Sequence, residues 1–136
     1  MKKSRKRRSR TNSLPLMKKL AWKEFSEYLR RQNADFYGIC ECITCGFKAH
    51  WKEMQAGHFI HGKFDFDEMN VNVQCARCNK YLHGNLGIYA LQLITKHGKE
   101  KVDYLQARAK KTAYEKLSRL DFEQIYLKYK ALNEAV

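Results

Sequence analysis

Apolar side chains recur along this chain at two spacings, one typical of helices and one of strands. Helical spacing near the N-terminus predicts an amphipathic helix over residues 14–32, through Leu16, Leu20, Phe25, Tyr28 and Leu29. Similar spacing later in the chain predicts three more helices, over residues 86–97, 102–116 and 121–135. Asn85 and Gly98 are the expected caps of the first of these three, and Ser118 with Asp121 resembles a capping box.

The middle of the chain has the character of a β-hairpin. Residues 54–60 and 71–74 favour strands, and residues 62–68 form the loop between them. A further helix is expected to begin near residues 75–79. The predicted fold class is therefore α+β, with a hairpin–helix core surrounded by helices.

Charge is distributed unevenly between the two ends of the chain. The first 23 residues carry ten Lys or Arg and no acid, so +10 of the net charge of +13 lies there. Residues 1–13 are therefore predicted to be a disordered basic arm, because such a charge run has no apolar surface to bury. The expected partner is nucleic acid, bound through Lys2, Lys3, Arg5, Lys6, Arg7, Arg8 and Arg10. A purely solubilising tail is the alternative interpretation.

The rest of the chain, residues 14–136, is predicted to be one domain by its length, with a core at 39–85 and a helical part at 86–136. No apolar run approaches the ~20 residues needed to cross a bilayer, so no membrane association is expected. The charged start is not followed by an apolar segment, which disfavours a secretory signal. A cytoplasmic protein is the expectation.

Cysteine spacing predicts a metal site. Cys42 and Cys45 form one Cys-x-x-Cys pair, Cys75 and Cys78 form a second, and 29 residues separate the pairs. In a reducing compartment this pattern favours a tetrahedral thiolate site for Zn²⁺ over disulfides. The remaining Cys40 makes the choice of ligands ambiguous, but the matching two-residue spacing favours Cys42, and Cys40 is expected to be buried.

Three polar residues of the hairpin region could perform phosphodiester hydrolysis. His58 titrates near neutral pH and can take a proton from water. Asn79 follows Cys78 directly and offers a hard carbonyl oxygen to Mg²⁺ or Mn²⁺. Asn70 lies on the strand opposite His58, where its amide could hold the loop or the imidazole ring in position. Zinc and the catalytic ion are thus two different metals, because four thiolates leave zinc no open position.

Several spaced motifs carry a family resemblance over about residues 39–105. The two Cys-x-x-Cys pairs, Gly-His at 57–58, Asn70 and the Asn79 that follows Cys78 resemble the zinc-bearing HNH, or ββα-metal, endonucleases. The amino-acid sequence of the motifs resembles the NinG (Rap) recombination nucleases of lambdoid phages more closely still, and it is similar to the endonuclease VII-type junction resolvases. The matching segments are Ala-Gly-His-Phe at 56–59, Gln-Cys-Ala-Arg-Cys-Asn at 74–79, Gly-Asn at 84–85 and Val-Asp-Tyr-Leu at 102–105.

The resemblance implies a divalent-metal-dependent endonuclease that cuts branched DNA, such as Holliday junctions or D-loops, in an infected or lysogenic bacterial host. It assigns His58 as general base, Asn79 as ligand of the catalytic ion, and Asn70 as the central asparagine. Many HNH enzymes have an Asp or His ligand directly before the base, whereas this chain has Gly57. His83 is the first candidate for a second ligand, followed by Asp65, Asp67 and His50.

Two further expectations concern DNA and assembly. Candidates for contacts with the DNA backbone are His61, Arg77 and Lys80. The alternative for each is a side chain that faces solvent and contacts no DNA. A junction with two-fold symmetry needs two cuts, so a homodimer is expected. The competing interpretations are a non-catalytic zinc-ribbon module that binds DNA, and a nonspecific or homing HNH nuclease.

Overall fold

The computed structural model describes residues 13–62, 64–110 and 116–135. Of the predicted basic arm, residues 1–13, all but Ser13 lie outside the described residues. So does the stretch 111–115, at the predicted end of the third helix. The chain divides into two compact units, one made of its two ends and one made of residues Ser26–Lys116.

The first unit pairs the start of helix α1 (Leu14–Gln32) with helix α4 (Arg119–Glu134). The Phe25 and Tyr129 rings meet edge-on at 4.9 Å between their centroids, and both are buried. The buried Asn133 amide donates to the Glu24 carbonyl and carboxylate at 2.9 and 2.8 Å. The predicted capping box is confirmed, since the Ser118 hydroxyl accepts from the Asp121 amide and the Asp121 carboxylate accepts from the Ser118 amide.

The second unit contains two small antiparallel sheets, each of two strands. Strands β1 (Ile39–Glu41) and β2 (Lys48–His50) flank the first cysteine pair. Strands β3 (Gln55–His58) and β4 (Val71–Gln74) form the predicted hairpin, with Gly57 opposite Asn72 and His58 opposite Val71. A short 3₁₀ helix, Trp51–Glu53, connects the two sheets and was not predicted.

Helices α2 (Leu86–His97) and α3 (Lys99–Lys110) cover the hairpin loop. Their apolar faces form one core with the loop, made of Phe59, Phe64, Tyr89, Leu93, Val102 and Leu105. Tyr89 and Leu93 are fully buried, so this core sets the position of the chain directly after β3. The mixed α+β class predicted from the pattern is confirmed by these elements.

Two local predictions differ from the structure. Asn85 does not cap α2 with its side chain but has a left-handed backbone with φ of 48°. The helix expected after Cys75 is a π-helical segment, Arg77–Tyr81, and a left-handed turn at His83 and Gly84 follows it.

Among the described residues, no helix is both long and apolar enough to cross a bilayer.

Candidate metal centre and hairpin site

Four cysteine sulfurs meet between the two sheets. Cys42 and Cys45 lie in the turn from β1 to β2, while Cys75 and Cys78 follow β4. All four ligand atoms lie within 4.8 Å of one another, and the Sγ atoms of Cys45 and Cys75 are 3.6 Å apart. Thiolates at about 2.3 Å from a tetrahedral zinc have sulfur atoms about 3.8 Å apart. This cysteine cluster therefore has the donor atoms and dimensions to hold a metal such as zinc.

Backbone hydrogen bonds shape the two turns that carry the cysteines. The Gly46 amide donates to the Cys42 carbonyl at 2.9 Å, and the positive φ of Gly46, 79°, closes this turn. The Ile43 amide donates to the Val73 carbonyl at 2.9 Å, which fastens the first turn to β4. In the second turn, the Cys78 amide lies 3.5 Å from the Cys75 sulfur. Hydrogen bonds within each turn thus set the geometry of each Cys-x-x-Cys pair.

The thiols of the cluster ionise unequally. Burial acts to raise the pKa of Cys42, but hydrogen bonds from the Thr44 hydroxyl and from neighbouring backbone amides lower it to about 6. Burial raises the pKa of Cys45 and of Cys75, although backbone amides act against it at both. A cation bound among these sulfurs would favour their thiolate forms.

Cys40 lies outside the cluster, as predicted. It is 3% exposed and pairs with Ala49 across β1 and β2. Burial raises its pKa, so the side chain stays a neutral thiol.

Two carboxamide oxygens converge on Gly57 in the hairpin. A Cβ on Gly57 would collide with Gln74 Oε1 and would lie 2.9 Å from Asn79 Oδ1. Gln74 is fully buried, and within the described residues its Oε1 has no hydrogen-bond partner. The Asn79 amide nitrogen donates to Gln55 Oε1 at 2.8 Å, which leaves Asn79 Oδ1 near Gly57. Only glycine leaves room for both oxygens at this position.

A buried tyrosine fastens the same strands to α2. The Tyr89 hydroxyl donates to the Gly57 carbonyl at 2.7 Å and accepts from the Asn72 amide at 3.2 Å. Gln74 in turn donates to the Gly84 carbonyl at 2.9 Å. These bonds hold the hairpin between α2 and the turn after Cys78, so the carboxamides near Gly57 have a rigid frame.

His58 lies at the end of β3 and faces the loop that follows. Its Nε2 atom is 3.3 Å from the Asp65 carbonyl oxygen and 3.4 Å from the Asp65 carboxylate. The His61 ring lies 5.1 Å from the His58 ring between centroids. His58, His61 and Asp65, the histidine cluster, offer ligand atoms within 4.8 Å of one another.

Asn70 holds the loop and not the imidazole ring. Its Oδ1 accepts from the Ile60 amide at 2.9 Å, and its Nδ2 donates to the Ile60 and Phe64 carbonyls at 2.8 and 3.0 Å. Asn70 is fully buried. Of the two roles the sequence left open, this geometry corresponds to fixing the loop that carries His61 and Asp65.

The remaining predicted site residues lie on exposed parts of the second unit. Arg77 and Lys80 are exposed on the π-helical segment, and His61 and His83 are exposed in turns. His83 was expected one α-helical turn beyond Asn79, but the helical segment ends at Tyr81 and His83 has φ of 50°. The role of His83 as a metal ligand stays a prediction. The helical spacing from Asn79, on which that prediction rested, is not present.

Sequence reasoning missed Gln74, whose buried oxygen near Asn79 is part of the site. The alternation Val-Asn-Val-Gln of β4 suggests that its polar residues face solvent, but all four residues are buried. The signal that could have found Gln74 is its place directly before Cys75, where the cysteine cluster fixes the strand. Asp65 was named only as a possible metal ligand, and its contact with His58 was not foreseen.

Fold and site together define an α+β protein in which four cysteines beside a β-hairpin could hold a metal such as zinc. A family model described as "Bacteriophage Lambda NinG protein" matches residues 1–136. The chain belongs to this NinG family. It is 33% identical over 95 residues to protein ninG of Escherichia phage 933W, 32% over 95 residues to that of Escherichia phage lambda, and 32% over 99 residues to that of Salmonella phage P22.

These matches cover part of each protein. They include 65–68% of this chain, and the chain spans less than half of the relatives' length, namely 44, 43 and 45%. No solved structure matches the chain.

Proposed function

We propose that the chain is a divalent-metal-dependent DNA endonuclease that hydrolyses phosphodiesters in branched recombination intermediates. The observation that carries this proposal is the position of His58 beside Gly57, against which Asn79 Oδ1 packs. His58 thus lies one residue along β3 from the glycine against which Asn79 packs, and Asn79 itself lies on the π-helical segment after β4. The resemblance of the cysteine pairs, Gly57-His58, Asn70 and Asn79 to the motifs of HNH nucleases supports the same reaction class.

The geometry around His58 supports its role as general base. If Nε2 carries the proton, it donates to the Asp65 carbonyl 3.3 Å away, and Nδ1 keeps its lone pair. An imidazole in this tautomer can take a proton from a water molecule at neutral pH. Asp65 is then a positioning residue, and Asn70 acts one step further out by fixing the loop.

The oxygens near Gly57 suit a hard divalent cation. Asn79 Oδ1 and Gln74 Oε1 would hold Mg²⁺ or Mn²⁺, and the buried Gln74 oxygen, unpartnered within the described residues, supports this assignment. Mg²⁺ keeps several waters, so two protein oxygens suffice. Such an ion stabilises negative charge on the scissile phosphate and the leaving oxygen. The cysteine cluster supplies no ligand to it but fixes Asn79, which follows Cys78.

DNA is the substrate most consistent with the charge. Ten of the 27 Lys and Arg residues lie in the first 23 positions, where they would neutralise phosphates without reading sequence. Arg77 and Lys80, exposed directly beside Cys78 and Asn79, would contact the backbone near the cut. The preference for branched DNA and the homodimer rest on the resemblance and on the two-fold symmetry of a junction.

His58→Ala tests the proposal, with His97→Gln as the matched histidine control on α2. Loss of a general base should lower the cleavage rate about 100-fold or more. The zinc held by the cysteine cluster, the circular dichroism and the DNA affinity should stay at the parent's level in both variants, and His97→Gln should cut normally. If His58→Ala cuts as fast as the parent, the base assignment is wrong.

A parent chain that binds DNA but never cuts it would favour the alternative, a non-catalytic zinc-ribbon module. Substrate preference needs a separate comparison of four-way junction, flap and linear duplex DNA at equal concentration. Faster cleavage of the junction supports the resolvase interpretation. Equal cleavage of plain duplex would instead indicate a nonspecific or homing nuclease.

A further inference from the structure

We propose that the histidine cluster, His58, His61 and Asp65, is a second transition-metal site, separate from the cysteine cluster. We also propose that metal bound there inhibits the chain. Metal binding itself follows from the ligand geometry alone. The inhibitory effect rests on the proposed function, because it requires His58 to be the general base.

The separations within the histidine cluster match those of a metal site. His58 Nε2 and the Asp65 carboxylate are 3.4 Å apart, and ligand atoms of all three residues lie within 4.8 Å of one another. A tetrahedral ion with nitrogen and oxygen ligands at about 2.0–2.2 Å needs donor atoms about 3.4 Å apart. The exposed His61 ring can close the remaining distance by a small rotation.

Hydrogen bonds within the protein hold this loop in place. The Asp65 carboxylate accepts from the Gly62 amide at 2.8 Å, and the Asp65 amide donates to the Gly62 carbonyl at 3.2 Å. Asn70 fixes the same loop through Ile60 and Phe64. Two of the three ligands therefore need little reorganisation, which lowers the cost of binding.

Ligand chemistry selects the class of metal. Two imidazoles and one carboxylate suit Zn²⁺, Co²⁺ or Ni²⁺, whereas Mg²⁺ prefers oxygen ligands alone. The side chains of His58 and Asp65 are 15% and 25% exposed, so an ion can enter from solvent and keep an open position for water. The cysteine cluster takes the first zinc because four thiolates bind it more tightly, and the histidine cluster takes the second.

A metal ion bound at the histidine cluster would prevent His58 from acting as the general base. An ion on Nε2 requires that nitrogen to be unprotonated, so the single ring proton moves to Nδ1 and no lone pair remains there to take a proton from water. Excess Zn²⁺ should therefore slow cleavage that Mg²⁺ supports. This effect provides a simple link between free zinc and nuclease activity.

The binding test uses the tag-free chain carrying one zinc per molecule, titrated with Co²⁺. The second equivalent should give ligand-field absorption without a thiolate charge-transfer band. Asp65→Asn should weaken this equivalent at least about tenfold, and so should His61→Ala. Asparagine at position 65 can still accept from Gly62, so the loop is kept while the charge is lost.

Asp67→Asn is the matched control, because it removes a carboxylate from the same loop while still accepting from the Met69 amide. It should bind the second Co²⁺ like the parent. Equal affinity in Asp65→Asn and the parent, or a thiolate band for the second ion, would overturn the site.

The inhibition test compares cleavage with and without added Zn²⁺ within each variant. The parent and Asp67→Asn should be inhibited, and the half-inhibitory zinc concentration should rise about tenfold in Asp65→Asn. Equal inhibition of all three would overturn the regulatory role. A second ion that binds to a chain without any nuclease activity would refute the proposed function and leave the metal site standing.

Discussion

The cysteine cluster and the histidine cluster assemble their ligands in different ways. In the cysteine cluster, each Cys-x-x-Cys pair is set by its own turn, and one contact between Ile43 and Val73 helps to join the halves. The histidine cluster draws its ligands from eight consecutive residues, yet their arrangement depends on Asn70, which lies outside that stretch. A spacing motif therefore identifies ligands reliably only where a local turn sets their geometry.

The largest expected effect comes from breaking the cysteine cluster with Cys78→Ser. Structural zinc contributes roughly 10–16 kcal/mol of binding energy in small zinc domains, and Cys78 is fully buried. We expect loss of zinc and of cooperative unfolding of the second unit, measured by metal analysis and thermal circular dichroism.

Cys40→Ala is the matched control for that change. It removes a buried sulfur outside the cluster, should cost about 1–2 kcal/mol, and should keep one zinc per chain. If Cys40→Ala loses zinc while Cys78→Ser keeps it, the ligand assignment is wrong.

A smaller effect is expected from Asn70→Ala, which acts on the histidine cluster. The substitution removes three hydrogen bonds of a fully buried side chain, so we expect a loss of about 3 kcal/mol in the free energy of unfolding. Urea denaturation measures this loss. Hydrogen exchange should show the Ile60 amide, which donates to Asn70, losing its protection.

Asn72→Ala separates a loop effect from general destabilisation. Asn72 is also buried, but its amide donates to the Met69 carbonyl and the Tyr89 hydroxyl. It should destabilise the chain while the Ile60 amide stays protected. Equal deprotection in both variants would mean that Asn70 does not fix the loop specifically.

The same contrast explains how much could be predicted from the sequence. Helix α2 begins and ends where its pattern predicts, and the cysteine ligands follow from spacing alone. The contact of His58 with Asp65 could not be predicted, because it depends on a loop conformation fixed by buried hydrogen bonds. Gln74 was missed because β4 is buried on both faces, where polar alternation no longer indicates exposure.

Tyr89→Phe should have a moderate effect that spares both clusters. It removes the hydroxyl that donates to the Gly57 carbonyl, so we expect a loss of about 1–2 kcal/mol by urea denaturation. Metal content should not change, because neither cluster contains Tyr89. Tyr104→Phe, at a position 64% exposed, is the control and should be close to neutral. A change in zinc content on Tyr89→Phe would mean that α2 supports the cysteine cluster directly.

The smallest expected effect is a loss of folding stability at acidic pH through His97, which belongs to neither cluster. His97 lies in the last turn of α2, where the helix dipole favours a charged ring, but burial, with Lys96 and Lys101 nearby, lowers the pKa of His97 despite Asp67. Within the described residues, its buried Nε2 has no hydrogen-bond partner. The native ring therefore stays neutral at a pH where the unfolded chain takes up a proton. This contribution to stability is complete above the ordinary histidine pKa of about 6.5 and is lost as the pH falls through the lowered value.

Urea midpoints at several pH values measure this loss, and His97→Gln should flatten the acid side of the profile slightly. Acid also protonates the ligands of any bound metal, so the comparison is made with zinc content monitored at each pH. If the parent and His97→Gln lose stability in parallel while zinc is retained, His97 does not carry the dependence. If they lose it in parallel only as zinc dissociates, the acid sensitivity belongs to the cysteine cluster.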